Sequence, residues 1–446
     1  MPILTKDEAQ ALMKKVIGFS KADEIEVNLS GSDGGNIRYA RNAVSTSGGI
    51  SQSTLVVQSS FGKKVGVATI NEFDDASLEK VVRRAEELAK LAPENPEFVK
   101  NLGPQTYLAP SPEQFVEHTA ALSPKERADA VAQSLAISKE NKLIAAGFME
   151  NSGGYSAMMN SSGLFAYNTS TNVNFNVTLR TEDGKGSGYA SKGYNNVGQL
   201  DVAAATRVAA QKAANSREAK ALEPGKYTVI LEPAAAIVLL ETIFFGMDAR
   251  SADEGRSFLS KPDGKTKLGE KLVDERVTIY SDPLNPMLPT ATWNGDGRPQ
   301  EKITWINKGV MENLYYSRYW AEQKNKKAVP GPDAVIMEGG TQSLEDLIKG
   351  TEKGILVTRL WYIRSVDPQT LLYTGLTRDG TFYIENGQIK FPIKNFRFNE
   401  SAIIMLNNLE ALGKPERTVS GESNIQALIP PLKIRDFTFS SLSDAV

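Results

Sequence analysis

The chain has 446 residues, enough for two or three domains. It is 41% hydrophobic and 23% charged, with 51 basic against 53 acidic residues and a net charge of −2. That balance is ordinary for a soluble globular protein and gives no electrostatic footprint for direct nucleic-acid contact or an anionic membrane. The chain has no cysteine, which excludes disulfides, thiolate nucleophiles, iron–sulfur clusters and Cys-bound zinc.

The single histidine, His118, lies in a polar segment (SPEQFVEHTA) and reads as a surface residue, because a metal site needs several convergent ligands. Any Ser/His/Asp triad would have to draw on it. The N-terminal stretch MPILTKDEAQALMKK lacks the basic-then-apolar layout of a signal peptide. The apolar run at 234–247 is too short to span a bilayer and contains Glu241. A cytoplasmic protein is the expectation.

In chain order, residues 5–17 read as a helix opened by a Thr5/Glu8 capping box. Strands are expected at 24–30, 36–46, 51–58 and 63–70, with turns at Gly31–Gly35 and Gly48–Gly49. A second helix fits 77–91, with Leu78, Val81, Val82, Ala85, Leu88 and Ala89 on one face. Residues 93–112 form a Pro-rich connector. Ser123-Pro124 opens a helix through residue 139 as N-cap and first helical residue. Strands follow at 143–151, 155–160, 164–170, 171–181 and 186–192, then an Ala-rich helix at 201–216. Residues 151–176 are dense in Asn, Ser and Thr. They read either as a polar outer sheet face or as a surface that binds extended peptide backbone.

Glu223-Pro224-Gly225 is the expected domain boundary. Beyond it come a strand at 226–231 and a buried helix at 234–247, with Pro233 suited to the first turn and Gly246 to an αL cap. Glu241 within that helix needs a partner or a proton, and Arg250, Arg256, Arg359 and Arg378 are candidates. The charged segment 248–256 (DARSADEGR) reads as a solvated loop or a cleft lining. Further strands are expected at 271–279 and 354–364, a strand and turn at 309–318, and a short helix at 341–354. A meander at 371–377, 380–385 and 388–393 is punctuated by hairpin signals at Asp379-Gly380 and Asn386-Gly387. The fold class is α+β with an N-terminal α+β domain at 1–221, in sub-parts 1–92 and 113–221. A C-terminal, mainly β domain at 222–446 surrounds the one buried helix.

The helix at 234–247 resembles the central helix of the TldD/TldE (PmbA) family, named for modulation of DNA gyrase and containing metallopeptidases. Segments ALEPGKYTVILEP (221–233), RSVDPQT (364–370) and FYIENGQI…PIKN (382–395) resemble it too. In the catalytic branch the helix carries HExxxH, whose two His bind zinc and whose Glu is the base; a later Cys adds a ligand. The His slots here are Leu240 and Phe245, the Gly slot before the second His is Phe244, and Glu241 keeps the Glu slot. Neither Leu nor Phe ligates zinc.

The resemblance therefore implies a TldE/PmbA-like subunit without a metal of its own, with Glu241 a vestigial general-base position. Zinc is expected only in a TldD-like metallopeptidase partner, joined as a heterodimer. Peptide or unfolded-protein substrates are implied. Cleft candidates are Arg250, Glu254, Arg256, Trp361 and Arg378. The alternatives are an active peptidase with a metal on carboxylates such as Glu241, Asp248 and Glu254, and a stand-alone peptide-binding homodimer.

Overall fold

In the computed structural model, residues 3–423 and 425–443 are described. The N-terminal half contains α1 (Lys6–Phe19), β1 (Glu24–Ala40), β2 (Ala43–Phe61), β3 (Lys64–Ile70) and α2 (Asp75–Leu91). It continues with α3 (Glu117–Ala120), α4 (Pro124–Glu140), β4 (Leu143–Asn160), β5 (Phe165–Thr181), β6 (Ser187–Tyr194) and α5 (Val202–Asn215). The expected capping boxes are present at Thr5/Glu8 and Ser123/Glu126. All six strands form one antiparallel sheet in the order β3-β2-β1-β4-β5-β6. One sheet thus runs through both stretches flanking the 93–112 connector.

The strands are longer than the sequence suggests. Gly31–Gly35 and Gly48–Gly49 do not turn; both lie within paired strand, residues 31–35 against 49–53, with Gly35 opposite Gly49 and Asn36 opposite Gly48. The chain reverses instead at Arg41 and Asn42, both with positive φ. The Asn42 side chain donates to the Leu143 carbonyl and accepts from Ser138 and the Ala145 amide. Glycine is used here for close packing. A Cβ on Gly35 would lie 2.2–2.5 Å from the buried Arg127 guanidinium, which donates to the Leu122 carbonyl and Asn151. The expected breaks at residues 151–155 and 170–171 are likewise absent, and β4 and β5 run unbroken.

Alternation gives this sheet two unlike faces. On one, Ile25, Val27, Leu29, Leu55 and Val57 pack with α1 and α2, while Ile37, Tyr39, Val173, Phe175, Val177 and Leu179 pack with α4 and α5. The other carries Asn28, Ser30, Glu150, Ser156, Asn172, Asn174 and Asn176, which line clefts against the C-terminal half.

The C-terminal half opens with β7 (Gly225–Leu231), α6 (Pro233–Phe245) and α7 (Ala249–Asp253). Then come β8 (Ile279–Ser281), β9 (Ile303–Asn307), β10 (Val310–Met311), α8 (Arg318–Lys324), β11 (Ala334–Met337) and α9 (Leu344–Lys349). The chain ends with β12 (Lys353–Asp367), β13 (Leu372–Glu385), β14 (Gln388–Pro392), β15 (Phe396–Ser401), α10 (Ala402–Asn407), β16 (Leu409–Leu412), β17 (Glu416–Thr418), β18 (Gln426–Ile429) and β19 (Leu432–Leu442). One sheet has the order β10-β9-β8-β11-β18-β17; the other runs β12-β7-β19-β15-β13-β14. Because β12 also pairs with β13, the second closes into a ring. Its interior aromatics include Phe396, Phe398, Phe437 and Phe439, with Phe396 and Phe439 stacked at 4.6 Å.

Several local expectations are corrected. Asp379-Gly380 is not a hairpin turn. The two residues bulge inside β13, opposite the single residue Thr358, with φ of 57° and 120°. The bulge turns the Asp379 carboxylate into bonds with Ser187 and Arg359. Asn386-Gly387 is the turn joining β13 to β14, and both residues have positive φ. The strand expected at 271–279 shrinks to Ile279–Ser281, because Asp274 accepts from the Arg276 amide and turns the chain. Of 309–318 only Val310–Met311 is strand, and the 341–354 helix is confined to Leu344–Lys349, capped by Ser343.

Candidate functional site

Helix α6 is framed from both halves. Its N-cap residue Glu232 accepts two 2.7 Å bonds from Lys212 of α5 and one from Thr358 of β12. From Ala235 to Phe244 every side chain is buried, in the largest core of the molecule. The helix is regular to Phe245 and ends at Gly246 in right-handed geometry (φ −86°, ψ −2°), not the expected αL cap. A Cβ there would lie 2.6 Å from the Phe258 ring, so glycine is required for space and not for φ.

The two ligand slots diverge. Leu240 is 0% exposed, whereas Phe245, expected to be buried, is 65% exposed. Positions five apart lie roughly 140° apart on a regular helix, and nothing in α6 departs from that. Glu241 is buried at 5% exposure. A zinc ion does not fit this helix, since neither slot carries a donor atom and their directions do not converge.

The carboxylates of the alternative metal set are engaged separately. Asp248 caps α7 by accepting from the Ser251 amide. Glu254 accepts from Arg250 and Arg256. Among the described residues no group of three His, Cys, Asp or Glu side chains is arranged to hold a metal ion. His118 is exposed, as expected, with Nε2 2.8 Å from a Glu126 oxygen. That contact and the Ser123 bonds hold the Glu126 carboxyl down at about 2.

The cleft candidates fall into two groups. Arg250 binds Glu97 at 2.8 Å and lies over the Trp320 ring. Arg318 donates to the Lys100 carbonyl and Tyr107 to the Gly297 carbonyl. Arg250 is thus one of the groups that fasten the 93–112 connector to the C-terminal half. Arg256 pairs with Glu254. The second group sits where the sheet face meets β12 and β13. Arg378 lies 4.1 Å over the Trp361 ring, and Arg359 lies 4.3 Å over the Tyr189 ring. Arg359 binds Asp379 at 3.0 Å and approaches Glu422 at 3.8 Å. Burial lowers the Arg378 pKa.

Beside this second group the polar sheet face opens into two adjoining clefts of about 300 and 320 Å³, which share Tyr189, Ser191, Arg417, Thr418 and Val419. The larger is lined by Glu150, Asn172, Asn174 and Asn176 on one side and by Ser420, Ser423 and Gln426 on the other. The Asn174 Oδ1 is buried without a hydrogen-bond partner, while its amide donates to Glu150. Arg417 crosses the seam, donating to Asn195, the Met287 carbonyl and Gln426. Burial brings its pKa down to about 10. Paired amide donors and acceptors suit the backbone of an extended chain. The Asn-rich run announced this face; Arg417, Asp379 and Tyr189 carried no local signal, because each has a partner on the other half: Asn195, Ser187 and Arg359 respectively.

The architecture is that of a metallopeptidase-like family. Residues 110–217 match the PmbA/TldA metallopeptidase central domain and residues 224–441 the PmbA/TldA metallopeptidase C-terminal domain. The chain belongs to the PmbA/TldD family. It is 22% identical over 466 aligned positions to the metalloprotease PmbA of Escherichia coli O157:H7, covering 97% of this chain and 98% of that protein. It is 23% identical over 286 positions to a metalloprotease of Methanothermobacter thermautotrophicus, a match spanning 59% of this chain and 60% of that protein. Its fold is that of TldE from Thermococcus kodakarensis, with a TM-score of 0.87 at 18% identity over 96% of this chain and all of that one. Among the described residues no helix is long and apolar enough to cross a membrane.

Proposed function

We propose that this chain is a TldE/PmbA-like, non-catalytic subunit of a peptidase that degrades or processes peptides and unfolded proteins. A TldD-like metallopeptidase subunit supplies the zinc, and this chain supplies part of the substrate cleft. The observation that carries the reading is the divergence of Leu240 and Phe245 on an undistorted helix. A two-histidine motif inherited with this geometry would not close on one ion, and no donors remain to try. The amide-lined larger cleft supports the second half of the reading, since it offers hydrogen bonds to backbone groups without a nucleophile–base pair. Elemental analysis of the purified chain, alone and with a TldD-like partner, tests it. Zinc should appear only with the partner. One tightly bound zinc per isolated chain, lost in Glu241→Ala, would overturn the reading.

A further inference from the structure

The sequence contains two Asn-Gly pairs, Asn294-Gly295 and Asn386-Gly387. In such a pair the glycine nitrogen has no side chain to shield it and can close a five-membered ring on the asparagine side-chain carbon. The fold treats the two pairs oppositely. Asn386 donates to the Glu352 carbonyl at 2.6 Å, and Gly387 donates to the Thr351 carbonyl at 2.9 Å. A Cβ on Gly387 would lie 2.6 Å from the Lys349 carbonyl, so that pair is also walled in. The Gly295 amide, in contrast, has no acceptor among the described residues. Gly295 is exposed, and a Cβ there would meet nothing within 4 Å. The surrounding loop holds Asn294 in place: its amide donates to the Arg298 carbonyl at 3.0 Å and its carbonyl accepts from Gly297 at 2.9 Å. Its side-chain Oδ1 accepts from the Arg298 amide at 2.9 Å. Ring closure would put negative charge on that same oxygen, so the Arg298 N–H already stands as a donor where charge develops.

We propose that Asn294 is a self-modification site: in the folded chain Asn294-Gly295 deamidates through a succinimide, while Asn386-Gly387 stays an amide on the same timescale. The Gly295 nitrogen bonds to Asn294 Cγ, the Cγ–Nδ2 bond breaks, and the side-chain nitrogen leaves as ammonia with the proton that Gly295 gave up. One water then opens the ring at either carbonyl, leaving aspartate or isoaspartate at position 294. Nothing is oxidised or reduced. Asn294 and Gly295 line a cleft of about 310 Å³ with Asn28, Ser30, Ser156 and Asp333. The reaction therefore adds a second carboxylate to a cleft whose lining holds one, where the N-terminal sheet meets the 282–298 loop. The aspartate form keeps an oxygen for the Arg298 amide. The isoaspartate form lengthens the main chain inside the turn that Gly297 closes. The proposal does not depend on the peptidase reading, and its test uses the isolated chain.

The test is peptide mapping by mass spectrometry on the full-length protein held at mildly alkaline pH, folded and in urea, beside Gly295→Ala. In the folded chain Asn294 should convert at least about tenfold faster than Asn386, a modest share of the roughly 10²–10³ that one well-placed oxyanion donor is worth. In urea the two rates should converge to within about threefold, because the unfolded chain keeps only fluctuating local structure. Gly295→Ala should shield the nitrogen and sharply slow conversion at 294. It should keep the circular dichroism and melting temperature of the native chain, since its methyl enters open space. If Gly295→Ala loses its fold, Gly295→Ser replaces it in the same comparison. Equal rates at the two asparagines in the folded chain would overturn the proposal. So would a difference that persists in urea, which would belong to the sequence and not the fold, or a folded Gly295 variant that converts at the native rate.

Discussion

Installing both histidines, as Leu240→His and Phe245→His, should destabilise the protein without creating a zinc site. Leu240 is 0% exposed in the main core. Removing it forfeits about 2 kcal/mol of burial, and the imidazole nitrogens enter unsatisfied at about 1–3 kcal/mol. The expected loss is therefore about 3–5 kcal/mol, a large share of the roughly 5–15 kcal/mol that holds a typical domain. Phe245 is 65% exposed, so Phe245→His should stay within about 0.5 kcal/mol of the native protein. The double variant should match the sum within about 0.5 kcal/mol, because side chains on diverging faces do not couple. Urea unfolding with and without zinc measures all of this. Zinc should leave every variant unmoved. If zinc at a hundredfold excess over its dissociation constant adds about 2.7 kcal/mol to the double variant alone, the slots converge and the geometric argument fails.

Gly35→Ala should cost about 3 kcal/mol or more, since the new methyl meets a buried guanidinium that cannot leave without giving up two charge-assisted bonds. Chemical denaturation should also show that Arg127→Met in the same chain recovers part of that loss, as coupled neighbours do. The Glu126 carboxyl is held at about 2 in the folded chain against an ordinary 4.5, first by His118 and then by Ser123. A depressed folded pKa stabilises above the unfolded value and is lost as pH falls. The melting temperature of the native protein should therefore fall between about pH 4.5 and pH 2 more steeply than that of Glu126→Gln; parallel curves would refute the assignment. Glu97→Ala should loosen the connector, and limited proteolysis should then cut within residues 93–112 sooner than in the native chain, because Arg250 loses its partner there.

The helices were legible because their signals are local. Thr5 with Glu8 and Ser123 with Glu126 close capping boxes within four residues, whatever the rest of the chain does. The strands were legible in place but not in length. Gly31–Gly35 reads as a turn in isolation, and only the arrival of Arg127 from α4, some ninety positions on, shows why glycine is needed inside a strand. Asp379-Gly380 misleads for a related reason: its positive φ values serve a bulge that aims a carboxylate across the seam between the halves. The residues at the ligand slots that the family resemblance implies, Leu240 and Phe245, were readable from the sequence. The outward direction of Phe245 was not, because a uniformly apolar helix gives no clue to which face is left uncovered. The amide face was visible as composition, whereas Arg417 became visible only once Asn195, Met287 and Gln426 were brought around it.

The central claim is that this chain supplies no catalytic base, and Glu241→Gln in a complex assembled with a TldD-like metallopeptidase tests it most directly. Peptide cleavage by that complex should stay within about twofold of the unsubstituted one, while the chain loses about 1–3 kcal/mol of stability if the change strands a buried partner. A rate loss of roughly 10²-fold or more with an unchanged melting temperature would make Glu241 a working general base and contradict the account.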